Sequence, residues 1–333
     1  MAQGKDSPQR RRYWLITSPR TASNLLVKML NLDEQGVRPA KEGGYFFLPS
    51  IPRRFGLITK PMESWTEEER KALDQSQQEC FDKFQDHITA AERDGEILYV
   101  KEHAIMLNSP FFESNHVHGT SEVEGEPRTL LTKHVPHPTR SQHNLTFLPD
   151  EFLNTWHPTF LIRHPAMMFP SLYRTCLTDL EVDGFKRDGR EPMKTEVTTK
   201  WTRNLYNFYS NHFEKDSLWP IVLDADDVMT CPELVAKYAQ LAGLDDSKIR
   251  YSWDKASAEK LNKLSPMEQR MLSSINASSK IDKSKVAGSI NIDEEAVKWR
   301  SEFGEEGGRK LEQWVRDAMP DYNFMYSRRL RLE

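Results

Sequence analysis

Two residues that can do acid–base and anion chemistry stand two positions apart at the end of a predicted strand. Residues 97–100 are apolar and branched, which is typical of a buried strand, and they run into Lys101, Glu102 and His103. Side chains alternate along a strand, so Lys101 and His103 share a face while Glu102 points to the other. Ligands of open α/β sheets bind beyond the carboxyl ends of the strands. The pattern predicts a cation and an imidazole in one site, although either is also common on a plain surface.

A strand, a turn and a helix at the start of the chain form a unit that suits an anion. Residues 13–17 are aromatic and branched, typical of a buried strand, and Ser18 and Pro19 interrupt them. A helix with apolar residues at helical spacing follows, and the side chains of residues 21–24 are suited to cap it. Such a unit directs backbone N–H groups and a positive dipole end at an anion, to which Arg20 adds paired donors. The pattern also fits an ordinary turn that carries a surface arginine.

A second arginine follows another apolar strand. Residues 159–162 form that strand, and Arg163 comes directly after it, two residues before Pro165. Proline suits the first position of a helix, so we expect a helix over about 166–179, with Ser171 on it. An arginine between a strand and the head of a helix predicts a second anion site.

The other predicted elements alternate between helix and strand, which indicates an α/β fold with a central, mainly parallel sheet flanked by helices. They are a helix opened by the capping box of Thr66 and Glu69 and closed near Gly95, a helix over 191–217, a strand over 219–223 with a turn begun by Asp226 or Asp227, a helix from Pro232 to Gly243, and a last helix over 305–319 stopped by Pro320. Residues 36–62 are rich in glycine, proline and aromatics and predict an irregular segment that packs over the core or lines a pocket.

Composition predicts a soluble globular protein, and the length fits one large α/β domain or two smaller domains that no convincing Pro/Gly linker separates. The 333 residues are 38% hydrophobic and 29% charged, and a formal net charge of -4 argues against a general nucleic-acid binder. We expect residues 1–12 to be a disordered basic tail and residues 13–333 to be a single domain, in which the polar stretch around 109–149 is a loop or lid. No run approaches the roughly 20 apolar residues of a membrane span, and no signal-peptide core follows the N-terminus. Three scattered cysteines indicate a reduced compartment, and we expect a cytoplasmic protein.

Several common catalytic patterns are absent from the chain. It has no G-x-x-x-x-G-K-[ST], no G-x-G-x-x-G after a strand and no G-x-S-x-G, which argues against a P-loop ATPase, a dinucleotide dehydrogenase and an α/β-hydrolase. Eight of the ten histidines lie between His103 and His164, but they show no closed set of ligand spacings. We therefore expect no metal.

Taken in chain order, the three strand-end motifs resemble those of the sulfotransferases that use 3′-phosphoadenosine 5′-phosphosulfate (PAPS). In that family a loop of Lys or Arg followed by Ser-Gly-Ser/Thr-Thr binds the 5′-phosphosulfate, and residues 18–24 are similar to it. The second strand of the family ends in Lys-x-His, which Lys101 and His103 match. Its third strand is followed by Arg, then Asp/Asn/His-Pro, with a Ser eight residues after the Arg, as in Arg163 and Ser171. The resemblance spans nearly the whole chain, extends to fungal small-molecule members, and implies a P-loop-NTPase-like sulfotransferase architecture.

The resemblance implies in-line transfer of a sulfuryl group from PAPS, a co-substrate, to a hydroxyl or amine of a small metabolite in secondary metabolism, and we expect that metabolite to be hydrophobic. His103 would be the general base, with Glu102 in reserve if the strand twists before its end, and Lys101 and Arg20 would stabilise developing charge. The residues implied to bind PAPS are Arg20, Thr21, Ala22, Ser23, Asn24, Arg163 and Ser171. The Lys-rich run 280–285 is a candidate for a further 3′-phosphate contact.

Two residues of the first loop depart from the family pattern. Ala22 stands where the family has glycine, and Asn24 stands where it has a hydroxyl residue. Two alternatives therefore stay open: an enzyme of this fold with a non-sulfuryl step such as elimination or cyclisation, and a non-catalytic nucleotide or metabolite binder. We expect a small-molecule acceptor as partner, with no nucleic acid and no membrane. A homodimer is compatible with the sequence, which leaves the acceptor and the oligomeric state open.

Overall fold

The computed structural model describes residues 12–40, 44–119, 127–177, 190–264 and 266–332. In these residues four parallel strands form the centre: β1 (Arg12–Thr17), β2 (Leu98–His103), β3 (His157–Ile162) and β4 (Ile221–Asp224). They lie side by side in the order β2-β1-β3-β4. The chain leaves β1 for β2 on one side and then crosses to β3 on the other side, which places a ligand crevice at the carboxyl ends of these strands. The predicted parallel α/β fold is confirmed.

Helices cover both faces of the sheet. They are α1 (Ser23–Leu30), α2 (Ile51–Leu57), α3 (Glu67–Asp94), α4 (Pro110–His118), α5 (Asp150–Leu153), α6 (Pro165–Cys176), α7 (Lys200–His212), α8 (Ala225–Thr230), α9 (Pro232–Leu241), α10 (Ala258–Asn262), α11 (Pro266–Met271), α12 (Ser273–Ala277) and α13 (Ile292–Tyr326). Alternation along β1 sends Trp14 and Ile16 into a core with α3 and α7, and Leu15 into a core with α1 and α9. Both faces of the sheet are therefore buried, as expected for parallel strands.

The predicted capping box opens α3. Thr66 Oγ1 accepts from the N–H of Glu69 at 3.2 Å, and Glu69 Oε2 accepts from the N–H of Thr66 at 2.8 Å. The helix ends at Gly95, whose φ of 70° is the left-handed conformation that glycine adopts at little cost. Both ends of α3 are thus determined by local residue chemistry.

Two helix predictions in the second half are wrong. The helix expected over 191–217 is only α7, because its preceding residues fold into a turn, in which Glu196 Oε2 accepts from the N–H of Met193 at 2.9 Å. The last helix is not stopped by Pro320 and continues to Tyr326, although Gly304, with φ 78° and ψ 166°, interrupts it. Burial of Tyr322 holds the turn beyond the proline, since its hydroxyl donates to Asp224 Oδ2 at 3.1 Å.

Smaller corrections concern segments that the sequence left irregular. Helix α2 lies within the segment 36–62, and α4 lies within the polar stretch 109–149. Asp224, rather than either of the two following aspartates, caps α8 by accepting from the N–H of Asp226 at 2.9 Å. The predicted disordered tail lies outside the described residues up to position 11, whereas Arg12 already belongs to β1.

Candidate active site

A large cavity of about 1320 Å³ opens at the carboxyl ends of β1, β2 and β3. Its walls come from the turn after β1, the end of β2, the start of α6, helix α2 and the segment 268–285. The sequence-predicted residues that line it are Arg20, Ala22, Ser23, Asn24, Lys101, His103, Arg163 and Ser171. Thr21 is buried beneath the turn, where its hydroxyl donates to the carbonyl of Ser18 at 2.9 Å. Chain topology therefore brings the predicted strand-end motifs to one place.

The turn after β1 has left-handed backbone conformations at two residues that are not glycine. The φ angles are 68° at Arg20 and 64° at Ala22. Ala22 is the N-cap of α1 and offers no side-chain hydrogen bond, so the expectation that polar side chains cap this helix is wrong. Alanine nevertheless adopts here the conformation that suits the glycine of the family pattern, at a cost of about 1–2 kcal/mol.

The imidazole of His103 is neutral and has a defined orientation. Its Nδ1 lies 2.5 Å from Thr17 Oγ1, and the Thr17 hydroxyl donates its hydrogen to the carbonyl of Glu102 at 3.3 Å. This network assigns the ring proton to Nδ1 and leaves Nε2 as an acceptor, 3.1 Å from the hydroxyl of Tyr45. Burial, together with the charges of Lys101 and Arg20, lowers the pKa of His103 to about 3. The imidazole is therefore unprotonated at neutral pH.

Lys101 points to the same side of β2 as His103. Its ammonium group donates to Asn24 Oδ1 at the start of α1 and lies 4.5 Å from the centre of the Tyr45 ring. Burial lowers the pKa of Lys101 to about 8, against the opposing effect of Glu102. The asparagine that departs from the family pattern thus positions the lysine.

Glu102 points to the opposite face, as alternation requires, and is fully buried. Its Oε2 accepts from the N–H of Phe47 at 3.3 Å, and burial raises its pKa well above the usual range. Glu102 does not line the cavity among the described residues, which removes it as a reserve base.

The two predicted arginines lie side by side. Arg20 Nε donates to Ser171 Oγ at 2.9 Å, and Arg163 Nη1 donates to the carbonyl of Arg20 at 3.1 Å. Both also contact the segment over the cavity: Arg20 Nη1 donates to the carbonyl of Met271 at 3.3 Å and lies 3.9 Å from its Sδ, and Arg163 Nη2 donates to the carbonyl of Lys285 at 2.6 Å. Arg163 Nε is buried without a hydrogen-bond partner among the described residues. Burial lowers the pKa of both groups.

Among the described residues that line the cavity, cations outnumber carboxylates, which favours a ligand with several negative charges. Among the described lining residues the cations are Arg20, Arg53, Lys101, Arg163, Arg174, Arg190, Arg270, Lys280 and Lys285, and the carboxylates are Glu196, Glu268 and Asp282. The Lys-rich run, whose usual interpretation is a solvated face, contributes two of these cations. It is held beside Arg163 because Asp226 Oδ2 accepts from the N–H groups of Ala287 at 2.8 Å and Gly288 at 3.0 Å.

One wall of the cavity is apolar and lies next to His103. Its members come from the segment 45–55 and from the residues that follow β2: Leu48, Ile51, Phe55, Ile105 and Met106. This wall supports the prediction that residues 36–62 line a pocket. Trp201 of α7, another buried aromatic residue, is in the core and does not line the cavity among the described residues. The described residues of the stretch 109–149 do not line it either, so a lid there stays a prediction.

Sequence reasoning missed two parts of the site. Tyr45, which contacts His103, was visible only as one of several aromatics between glycines and prolines. The segment 268–275, which forms part of the cavity wall, showed only a polar composition. Both reach the site through contacts distant in sequence.

The described residues include neither a candidate metal centre nor a candidate membrane-spanning helix. No group of three or more His, Cys, Asp or Glu side chains in them is placed to hold a metal ion. None of the described helices combines the length and apolar character that crossing a membrane requires.

Comparison with known proteins gives two close relatives. The sulfotransferase ppzF of Metarhizium rileyi is 41% identical over 342 residues, with 97% of each chain covered. The sulfotransferase ppzF of Metarhizium majus is 40% identical over 343 residues, again with 97% of each chain covered. No family model matches. A solved sulfotransferase domain from the curacin biosynthetic pathway is 14% identical with a TM-score of 0.36, over 89% of this chain and 92% of that domain, a likeness too weak to support an argument.

Proposed function

This chain belongs to the sulfotransferases, enzymes that transfer a sulfuryl group, and we propose that its donor is PAPS, its acceptor a hydroxyl or amine of a small hydrophobic molecule, and its general base His103. The observation that carries the proposal is the position of one neutral imidazole. His103 Nε2 is an acceptor in the same cavity as the paired guanidinium groups of Arg20 and Arg163. The proposed base and the proposed anion site therefore line one cavity, where they can act on the same sulfuryl donor and acceptor.

The residues present fit a donor with phosphate groups at two ends. Arg20, Arg163 and Ser171 form a donor-rich cluster, and Arg163 Nε has an unused buried hydrogen. Helix α1 begins at the cavity wall, and its first turn adds backbone N–H groups to this cluster. We propose that these groups bind the phosphates and the sulfuryl oxygens, as the family resemblance implies. When bound, PAPS would supply the sulfuryl group: an acceptor oxygen or nitrogen attacks the sulfur, and the bond from the sulfur to the phosphate oxygen breaks.

His103 and the two nearest cations have separate roles in this proposal. The neutral imidazole accepts the proton of the acceptor, while Lys101 and Arg20 stabilise the negative charge that develops on the oxygens around the transferred group. Lys101 keeps its position through Asn24, which ties the ammonium group to the head of α1. The apolar wall beside His103 favours a hydrophobic acceptor, because a polar one would leave that wall in contact with polar groups.

Thermal unfolding in the presence of adenosine 3′,5′-bisphosphate tests the donor site before any acceptor is known. A ligand that binds only the folded state adds about 2.7 kcal/mol of stability at a concentration 100-fold above its Kd. We expect a clear rise in Tm with the bisphosphate and a smaller rise with adenosine 5′-monophosphate, which lacks the 3′-phosphate. Ser171→Ala, which removes one hydroxyl from the anion cluster, should reduce the bisphosphate shift. The absence of a shift at millimolar bisphosphate would contradict the donor assignment.

Transfer of radiolabelled sulfate from PAPS to a panel of phenols, alcohols and amines tests the reaction itself. We expect labelled product with apolar acceptors and none with acceptors that are highly charged. Bisphosphate binding without transfer to any panel member would favour a non-catalytic binder, and conversion of an acceptor without label would favour a different reaction on the same fold.

A further inference from the structure

The hydroxyl of Tyr45 contacts the ring nitrogen of His103 that faces the cavity. Tyr45 Oη lies 3.1 Å from His103 Nε2, and the two rings are tilted with centroids 4.8 Å apart. The hydroxyl also has Ser23, on the anion-binding turn, as a hydrogen-bonding neighbour. Tyr45, Ser23 and His103 all line the cavity. The phenol therefore stands between the proposed donor site and the proposed base.

Tyr45 is held in this position from both sides of its chain segment. The preceding Gly44 lies against β2, where an added Cβ would come within 3.1 Å of Lys101 N, and its φ of 100° is rarely adopted by other residues. The following Phe46 stacks on Phe84 with ring centroids 4.2 Å apart. Lys101 Nζ lies 4.5 Å from the centre of the Tyr45 ring itself. Swinging the phenol away from His103 would disturb these contacts.

We propose that Tyr45 relays the acceptor's proton to His103, an inference that rests on the proposed sulfuryl transfer and specifies its proton path. The acceptor hydroxyl gives its proton to Tyr45 Oη, and Tyr45 gives its own hydroxyl proton to His103 Nε2. The acceptor oxygen uses the freed electron pair to form its bond to sulfur, while the electron pair of the breaking S–O bond leaves with the bisphosphate. The phenol ends neutral, as it began, and the imidazole carries the proton.

The surroundings of Tyr45 suit a group that exchanges one proton for another. Burial and the charge of Glu102 raise the pKa of Tyr45, so a free tyrosinate is disfavoured. A relay does not need one, because the phenol receives a proton as it releases one. The hydrogen on His103 Nδ1, fixed by Thr17, leaves Nε2 as the only ring atom free to accept it.

Tyr45→Phe removes the hydroxyl and keeps the ring on which Lys101 and His103 pack. We expect turnover to fall about 100-fold or more, in the range of a lost general acid–base group. The Tm shift with adenosine 3′,5′-bisphosphate should stay that of the unsubstituted protein, since the phenol is not among the anion ligands. Tyr251→Phe is the matched control, because its hydroxyl donates to the carbonyl of Pro232 at 3.0 Å outside the cavity. It should leave turnover unchanged.

Three readouts separate a relay from a merely structural tyrosine. Turnover in mixtures of H₂O and D₂O should depend on the deuterium fraction with a curve that indicates two moving protons, and Tyr45→Phe should make it linear. Adding Tyr45→Phe to His103→Ala should cause little further loss, because both groups act on one proton path. 3-Fluorotyrosine at position 45 keeps the shape and lowers the phenol pKa, so it should change the rate without changing bisphosphate binding.

Turnover of Tyr45→Phe within about threefold of the unsubstituted enzyme would overturn the relay, as would a loss additive with that of His103→Ala. These outcomes differ from failure of the proposed function. If the unsubstituted protein neither responds to the bisphosphate nor transfers sulfate, the donor assignment fails first. In that case the ¹⁵N resonance of His103 Nε2 still tests the geometry, and an unchanged resonance in Tyr45→Phe would show that the hydroxyl does not engage that nitrogen.

Discussion

Glu113→Ala should destabilise the protein much more than the loss of an exposed ion pair. Arg54 Nε lies 3.0 Å from Glu113 Oε2, and both side chains have no exposed surface. The arginine also donates to the main-chain carbonyls of Ile105 at 2.5 Å and Met106 at 3.1 Å, beside His103. Removing the carboxylate leaves a guanidinium group buried without its counter-charge. Such losses cost about 3–5 kcal/mol, so we expect a decrease of that size in the free energy of unfolding.

Urea unfolding measures this decrease, with Glu259→Ala as the control. Glu259 pairs with Lys263 at 2.7 Å, a similar distance, but the two side chains are 80% and 73% exposed. Exposed pairs contribute about 0–1 kcal/mol, because water screens them and long side chains lose freedom. The urea midpoint should therefore fall strongly for Glu113→Ala and hardly at all for Glu259→Ala, at a similar m-value. Equal midpoint shifts for the two variants would refute the claim that burial determines the cost.

The acceptor wall should respond to the same substitution. Arg54 fixes residues 105–108 through carbonyl contacts, and Ile105 and Met106 line the cavity. At temperatures where Glu113→Ala is folded, we expect a higher KM for an apolar acceptor and an unchanged response to adenosine 3′,5′-bisphosphate, since the anion cluster belongs to other elements. A higher KM together with a smaller bisphosphate Tm shift would show that the pair supports the fold as a whole.

Three further predictions concern single residues. His103→Ala should lower turnover by about 10²–10⁴ while the bisphosphate Tm shift survives, and near-normal turnover would remove it as the base. Ala22→Gly should raise the free energy of unfolding by about 1 kcal/mol in urea, because alanine is strained at φ 64°; no change would mean no strain. Burial raises the pKa of Asp224 from 3.8 to about 6. Its folded state then holds a proton that unfolding releases, so stability should fall from pH 4 to 6 in thermal scans, and Asp224→Asn should lose this dependence; equal slopes would contradict it.

Local patterns were enough to predict the elements that carry the site. The apolar run of β1, the capping box of α3 and the alternation that puts Lys101 beside His103 each depend on residues a few positions apart. Such patterns depend on backbone geometry that is the same in every protein. They also place the motifs at strand ends, and because parallel strands end at one edge, three separate motifs meet there.

What the sequence could not show depends on contacts between distant residues. The continuation of α13 past Pro320 depends on Tyr322, whose partner Asp224 is 98 residues away. The role of Asn24 became visible only through Lys101, 77 residues later. Tyr45 reaches His103 across 58 residues. No period or spacing within a short window encodes such pairs, so a residue that looked like a departure from the family pattern proved to hold a proposed catalytic lysine.

The hydrogen bonds that join the segment over the cavity to the paired arginines end on carbonyl oxygens of residues 271 and 285. Every amino acid carries the same carbonyl, so the bond at residue 285 places no demand on the side chain there, whereas at residue 271 Arg20 Nη1 also contacts the side-chain Sδ at 3.9 Å. Met271 and Lys285 both line the cavity. A substitution at position 285 can therefore change the charge of that wall while Arg163 keeps its anchor, whereas a substitution at position 271 also removes a side-chain contact of Arg20.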